Sequence, residues 1–274
     1  MPFLLETTVM LVSRIARVAV IGAALCALPS LALAQAKPFE PTVGQAGKDV
    51  VWVPTPQALV EKMLDLAKAT PQDYLMDLGS GDGRTVITAA KRGLRAQGVE
   101  YNPDMVELSK RNAAAAGVGD KATFVKADLF ETDFSKAQVI TMFLLPSINL
   151  RLRPTILNMK PGTRIVSNSF TMDDWQADAT TTVEGDCTTW CTAYLWIVPA
   201  KAEGTWQVGA NALTLTQKFQ TLSGTLGSNP LTNGRLTGDS ITFSAGGATY
   251  TGTVNGNSMK GTTGTGTAWS ATKK

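Results

Sequence analysis

The stretch Asp73–Ala90, DYLMDLGSGDGRTVITAA, decides the fold. Tyr74–Leu78 is a short apolar run with an acid, Asp77, near its end. Three glycines follow on alternate positions, Gly79, Gly81 and Gly83, and a helical pattern opens at Val86. A strand, a bare loop and a helix in succession begin a β-α-β unit. Glycine lets a backbone take positive φ and come close to a ligand. In an open α/β sheet, ligands sit beyond the C-terminal ends of the strands, where this loop lies. A dinucleotide fingerprint requires its third glycine at position 84. Arg84 stands there, and the spacing is G-x-G-x-G.

Working outward, the alternation of strands and helices continues. Upstream, Thr55-Pro56 reads as a helix start, Thr as N-cap and Pro at the first helical position. Leu59, Met63 and Leu66 share one face of that helix. Downstream, Leu94–Glu100 reads as the second strand, and Asn102-Pro103 starts a helix that stops at Gly117. Ala122–Asp128 is a third strand. Ala137–Leu145 is nearly all apolar, as a buried strand of a parallel sheet is. A helix over Ser147–Met159 carries Pro154, which predicts a kink or break. Strand TRIVSNSF follows Pro161-Gly162. The last two strands, around Thr180–Val183 and Thr192–Val198, have no helix between them and are expected to form an antiparallel hairpin with DCTTWC at its tip. The fold class is α/β, a Rossmann-like doubly wound seven-strand sheet with an antiparallel last hairpin, over residues 51–200.

At Gly204 the composition changes. Gly and Thr dominate from there to Lys274, and Asp239 is the sole acidic residue. Short alternating runs, ALTLTQKF, SITFSA and ATYTGTV, are separated by Gly-rich turns, and Asn233-Gly234 and Asn255-Gly256 are hairpin signals. Residues 204–274 read as a small all-β, barrel-like domain rather than a disordered tail.

The N-terminus has its own logic. Arg14 and Arg17 precede an apolar run, Val18–Leu28; Pro29 breaks it, and LALA ends at Ala34. This is the pattern of a secretory signal peptide over 1–34, cut before Gln35, with Met10 as a second candidate start. Export to the periplasm is the expectation. An anchor formed by residues 14–34 is the alternative, although the run is shorter than the ~20 residues a spanning helix needs. Cys26 lacks a convincing lipobox. Residues 35–50, rich in Pro, Gly and Gln, read as a leader. Export leaves Cys187 and Cys191, which close a short disulfide in an oxidising compartment or remain free thiols in a reducing one.

Composition narrows the chemistry. The chain has 274 residues, 25 Lys and Arg against 22 Asp and Glu, and no histidine. Ser-His and Cys-His catalysis and His-ligated metals are therefore excluded, and no metal site is expected. The small, dispersed net charge argues against a nucleic-acid partner.

DLGSGDGR, with Glu100 ending the second strand in GVEYNPDMVELSKRNA and Asp128 ending the third in KADLF, resembles the class I S-adenosylmethionine-dependent methyltransferases. The resemblance spans Val51 to about Pro199. VWVPTPQALVEKMLDLA and FVKADLFETDFSKAQVITMFLLPSINLRLRPTILNMKPGTRIVS narrow it to the lysine methyltransferases of the mitochondrial ATP synthase c-subunit and adenine nucleotide translocase group. The resemblance implies S-adenosylmethionine as cofactor. It implies that Glu100 accepts the ribose hydroxyls, that Asp128 meets the adenine amino group, and that Asp77 and the glycine loop face the methionine end. Thr55, Asp77, Gly79, Ser80, Gly81, Gly83, Glu100, Tyr101, Asp128 and Leu129 are the implied cofactor contacts. FLLPS (Phe143–Ser147) replaces the Asn-Pro-Pro-Tyr motif of amino-methylating DNA and glutamine enzymes, so a protein lysine or a small amine is the expected acceptor. Phe143, Leu144 and Trp175 are expected to form an apolar mouth; no general base is identified. Because the cofactor is made in the cytosol, an exported, non-catalytic binding protein on the same fold, its β domain contacting an envelope partner, is the second reading.

Overall fold

The computed structural model describes residues 39–185 and 187–274. The export signal, its Gln35 cleavage site, Met10 and Cys26 lie outside the described residues. Among those described, no helix is long and apolar enough to cross a membrane.

The first sheet has seven strands. They are β1 (Tyr74–Leu78), β2 (Arg95–Glu100), β3 (Ala122–Lys126), β4 (Val139–Met142), β5 (Arg164–Asn168), β6 (Ala179–Thr182) and β7 (Thr192–Ile197). Their order is β3-β2-β1-β4-β5-β7-β6. β1 to β5 run parallel; β7 is antiparallel to both β5 and β6. Every residue of β4 is buried, as its VITM sequence requires of a central strand covered on both faces. The helices are α1 (Gln57–Leu66), α2 (Arg84–Lys91), α3 (Pro103–Ala115) and α4 (Pro146–Ile156). Leu59, Met63, Val86, Leu94 and Val106 belong to one buried cluster. Ile140, Leu152, Ile156, Trp175 and Trp196 belong to the other.

Helix boundaries depart from the sequence reading in two places. Thr55 does not cap α1. Pro56 holds the N-cap position and the helix starts at Gln57, while the Thr55 hydroxyl accepts a hydrogen bond from Asn168 Nδ2 (3.3 Å). Pro154 does not break α4, which continues to Ile156. The missing N–H forfeits one bond, to the Leu150 carbonyl, while Ile148, Leu152 and Ile156 keep the helix's inner face buried on both sides of it. Asn102 caps α3 as expected, its side chain accepting from the Asp104 N–H (2.9 Å).

The strand order reverses between β1 and β4. That is the switch point at which an open α/β sheet leaves a crevice at its C-terminal edge.

The second sheet closes on itself. Its strands are β8 (Gly204–Val208), β9 (Asn211–Lys218), β10 (Thr221–Leu226), β11 (Asn229–Pro230), β12 (Thr232–Thr237), β13 (Ser240–Ala245), β14 (Ala248–Asn255), β15 (Ser258–Thr263) and β16 (Ala268–Lys273). β8 pairs with both β16 and β9, and β9 pairs with β10, so eight strands form a closed antiparallel barrel, with the two-residue β11 appended to β10. The interior is filled by Trp206, Leu213, Leu215, Leu236, Ile241, Phe243 and Met259. Closure removes the exposed edges that a sheet of this size would otherwise carry. Asn255-Gly256 does lead into a hairpin, between β14 and β15. Asn233-Gly234 does not: it lies within β12, where the pairing with β13 slips between Thr232 and Arg235. Asn233 has φ +53°, so the left-handed residue makes a bulge rather than a turn.

The barrel packs on the α/β sheet through the β9–β10 turn. Phe219 stacks on Trp175 with centroids 5.8 Å apart, and Gln220 Nε2 donates to the Gln176 carbonyl (2.7 Å). Arg235 pairs with Asp178, whose other carboxylate oxygen accepts the Ile197 N–H.

Candidate active site

A cavity opens at the C-terminal ends of β1, β2 and β4. It is lined by Asp77, Gly79, Ser80 and Gly81 after β1, and by Glu100 and Tyr101 at the end of β2. Asp128 and Leu129 line it after β3, and Phe143 and Leu144 after β4. Residues Gln45–Thr55 close over it. The sequence thus leads to the same place from four separate segments.

The glycine loop is held from below and behind. The Gly79 N–H donates to Val99 O (2.9 Å). The Gly81 N–H donates to Glu100 Oε2 (2.9 Å), and the Asn102 N–H to Glu100 Oε1 (2.9 Å). Ser109 Oγ donates to Gly81 O (2.8 Å), and Asn112 Nδ2 to Asp82 O (3.0 Å). Gly81 has φ +54°, and a β-carbon there would lie 2.7 Å from the Trp52 indole nitrogen. Only a bare backbone lets Trp52 rest on the loop.

Gly83 differs from its neighbours. It has φ +82° and turns the chain into α2, but it does not line the cavity; a β-carbon there would meet Phe124 at 2.7 Å. Gly83, a cofactor contact in the sequence-based expectation, is required to be glycine here by packing between α2 and β3.

Asp77 is buried and accepts a hydrogen bond from Thr141 Oγ1 (2.6 Å). Burial pushes its pKa up to about 7, with Asp82 and Glu100 adding like charge, against the opposing bonds from Thr141 and Thr85. Asp128 accepts from the Phe130 N–H (2.9 Å) and is bonded to Lys48 of the covering segment. The Lys48 bond holds this carboxyl below its ordinary range and raises Lys48 in turn. Lys48 also sits over the Tyr101 ring, 4.7 Å from its centroid.

Trp175 is not at the mouth. It is fully buried, stacked against Phe219, and its carbonyl accepts the Trp196 indole N–H (2.7 Å). Phe143 and Leu144 are at the cavity, as expected. Lys48, Val50, Trp52 and Met105 also line it. Nothing in the sequence singles these out: Lys48 and Val50 end a Pro- and Gly-rich leader, Trp52 lies in an aperiodic stretch before α1, and Met105 reads as one of the apolar positions of α3.

The donor set suits S-adenosylmethionine. Three carboxylates on three successive strand ends face one cavity, with a close backbone approach at Gly81. The Ser80 hydroxyl is turned away from the cavity opening and packs against Gly98 of β2, where a β-carbon would come within 2.5 Å of it, so Ser80 borders the cavity while its side chain fixes the loop on β2.

Among known proteins, a protein-lysine N-methyltransferase of Saccharolobus islandicus is 41% identical over 152 residues, covering 54% of this chain and 94% of the archaeal protein. The chain belongs to this family of class I S-adenosylmethionine-dependent methyltransferases. The model of the ANTKMT methyltransferase domain matches residues 77–179. The lysine N-methyltransferase of the mouse ATP synthase c-subunit is 35% identical over 140 residues, 51% of this chain; the match spans 56% of the mouse enzyme's length. Among solved structures, an RNA methyltransferase from Salinibacter ruber in complex with S-adenosyl-L-homocysteine is 46% identical, with a TM-score of 0.51 over 54% of this chain and 95% of that one. The enzyme is therefore a methyltransferase that uses S-adenosylmethionine. The archaeal and Salinibacter matches each account for about half of this chain.

Proposed function

We propose that this methyltransferase N-methylates an amine, foremost a protein lysine, outside the cytosol. The observation that carries the acceptor class is the end of β4. Phe143 and Leu144 face the cavity there, where an amide- or base-methylating enzyme would carry a polar Asn-Pro-Pro-Tyr segment. The names of the archaeal and mouse relatives support the same class.

In this reading Asp77 accepts the cofactor's ammonium, Glu100 its ribose hydroxyls, and Asp128 its adenine amino group. Thr55, Gly79, Ser80, Gly81, Tyr101 and Leu129 complete the enclosure. When bound, the cofactor would supply an electrophilic sulfonium methyl group, its S–C bond breaking and its thioether leaving as the neutral amine forms the N–C bond in line. The protein aligns the amine and excludes water. Deeper in the cavity the apolar wall at Leu144 disfavours the charged ammonium, so the neutral nucleophile becomes accessible; the proton lost is taken up by water.

Export is proposed from the arginine-led apolar segment and from the Cys187–Cys191 disulfide, a bond that persists in oxidising compartments. The test is transfer of a labelled methyl group from S-adenosylmethionine into cell-envelope extract. The expected result is label in protease-sensitive material that hydrolyses to methyllysine. Label in ribonuclease-sensitive material, the acceptor class named for the Salinibacter protein, overturns the lysine reading; binding without any transfer favours the non-catalytic alternative. A periplasmic protein whose N-terminus is Gln35 supports export. A membrane-bound protein that retains residues 14–34 supports the anchor instead.

A further inference from the structure

Three aromatic rings meet beside the cavity, and the methyl-transfer reading uses only one of them. Phe143, which lines the cavity, lies 5.9 Å from Phe170 and 5.6 Å from Trp190, centroid to centroid; Phe170 and Trp190 are 5.4 Å apart. The rings come from three segments. Phe143 follows β4, Phe170 follows β5, and Trp190 belongs to the tip of the β6–β7 hairpin.

Two of the three are presented by backbone that ordinary residues avoid. Ser169 has φ +57°, and the Phe170 N–H closes a three-residue turn on Asn168 O (2.7 Å). Trp190 itself has φ +60°. Bulky residues rarely occupy this left-handed region, and such strain persists where the surrounding structure enforces it. Here the enforcement is visible. The disulfide between Cys187 and Cys191 encloses Trp190 in a five-residue ring, and the Ser169 N–H bonds Thr192 O (2.7 Å) just beyond it.

A cluster serving only to seal the core would bury its largest ring. Trp190 is 41% exposed. The other large exposed apolar residues include Tyr101 and Val51, both on the cavity, and Leu145, next to Leu144. An electron-rich surface with an open indole, beside the methyl-transfer cavity, fits a cation carried on an apolar stem.

We propose that Phe143, Phe170 and Trp190 form a platform for the acceptor's alkylammonium group, and that the Cys187–Cys191 bridge holds Trp190 in it. This deepens the amine reading and rests on it. The platform receives the charged side chain at the surface. Phe143, shared between platform and cavity, passes it toward Leu144, where the charge is disfavoured.

The test is calorimetric titration of the purified protein with Nε-trimethyllysine and with its uncharged carbon isostere, with and without S-adenosylhomocysteine. The cation is expected to bind at least about tenfold more tightly than the isostere. Trp190→Ala and the double variant Cys187→Ser/Cys191→Ser should each remove that preference and leave S-adenosylhomocysteine affinity unchanged. Trp190→Phe should restore part of it. Equal binding of cation and isostere, or a preference that survives both variants, overturns the platform. Ammonium binding in a protein that fails to bind S-adenosylhomocysteine overturns the acceptor role together with the amine reading. S-adenosylhomocysteine binding without ammonium binding overturns the platform alone.

Discussion

Lys48 is bonded to Asp128, 80 residues further along the chain, and the bond closes residues Gln45–Thr55 over the cofactor cavity. Both partners are partly solvent-exposed, so the pair contributes little to stability. A segment fastened across the cavity is expected to slow the cofactor's entry and exit more than it changes its affinity. Lys48→Ala should therefore speed both association and dissociation of S-adenosylhomocysteine, while Kd shifts by less than about fivefold, the range of an exposed pair. Raised salt should act on the wild type in the same direction. Stopped-flow measurements that find both rates unchanged would dispose of the latch.

Asp77 predicts a pH dependence. Burial raises its folded pKa to about 7 from an ordinary 3.8, so between these values the folded state holds a proton that the unfolded state has lost. Stability from this group is full below about pH 4 and is lost as pH rises through about 7. A cationic ligand group beside Asp77 favours the ionised carboxylate. Cofactor binding below about pH 7 should then release a proton, and affinity should climb from about pH 5.5 to about pH 7.5. Titration calorimetry in two buffers of different ionisation enthalpy reads the proton directly. Asp77→Asn should abolish the release and weaken binding about 10- to 100-fold, the loss of one charge-assisted bond. It should also make the unliganded protein more stable at about pH 8, because the buried charge is gone. Proton-neutral binding at about pH 6.5 in the wild type would contradict the assignment.

The glycines separate by experiment although they look alike in sequence. Gly81→Ala places a β-carbon against the Trp52 indole, which lies on a surface segment and can lift. The expected cost to the fold is about 1 kcal/mol for the left-handed backbone, with cofactor affinity strongly reduced. Gly83→Ala drives a β-carbon into Phe124 and Ser109, both within the core. The expected cost is about 2–4 kcal/mol from overpacking plus backbone strain, with affinity nearly unchanged in whatever fraction folds. Chemical denaturation and calorimetry on the two variants decide it; the reverse pattern would place Gly83, not Gly81, at the ligand.

How far the sequence could be read depended on whether the deciding contact was local. Tyr74–Leu78 is the strand in both readings because its boundaries are set by Asp73 and the glycines beside it. Glu100 and Asp128 reach the cavity because strand ends in a parallel sheet must converge there. Trp175 and Trp190 could not be told apart. Each is a tryptophan near the last strands. Their opposite fates are set by Phe219, from the barrel, and by a disulfide with its own ring of neighbours. The Lys48–Asp128 bond and the slip at Asn233 in β12 are likewise decided by partners distant in the chain or across a sheet.

The contact between Trp175 and Phe219 makes a prediction about how the two sheets unfold. Phe219 stacks on Trp175 and lies under Arg153, whose guanidinium carbon is 5.3 Å from its centroid. The adjacent Gln220 satisfies the Gln176 carbonyl. The turn that carries both residues is therefore bound to the core of the α/β sheet, and the two sheets should melt in one cooperative transition. Phe219→Ala removes the stacked, partly buried ring from against a fully buried indole, at a cost of about 1–2 kcal/mol, below that of a fully buried ring. Because the barrel is closed and has its own filled interior, it should survive that loss. The expected calorimetric result is one transition for the wild type and two for Phe219→Ala, the lower one abolishing S-adenosylhomocysteine binding and the upper one belonging to the barrel. A single transition shifted downward in the variant would mean that the coupling runs through Arg235–Asp178 and the Ala200–Gly238 backbone bond instead, and Arg235→Ala would then be the variant that divides it.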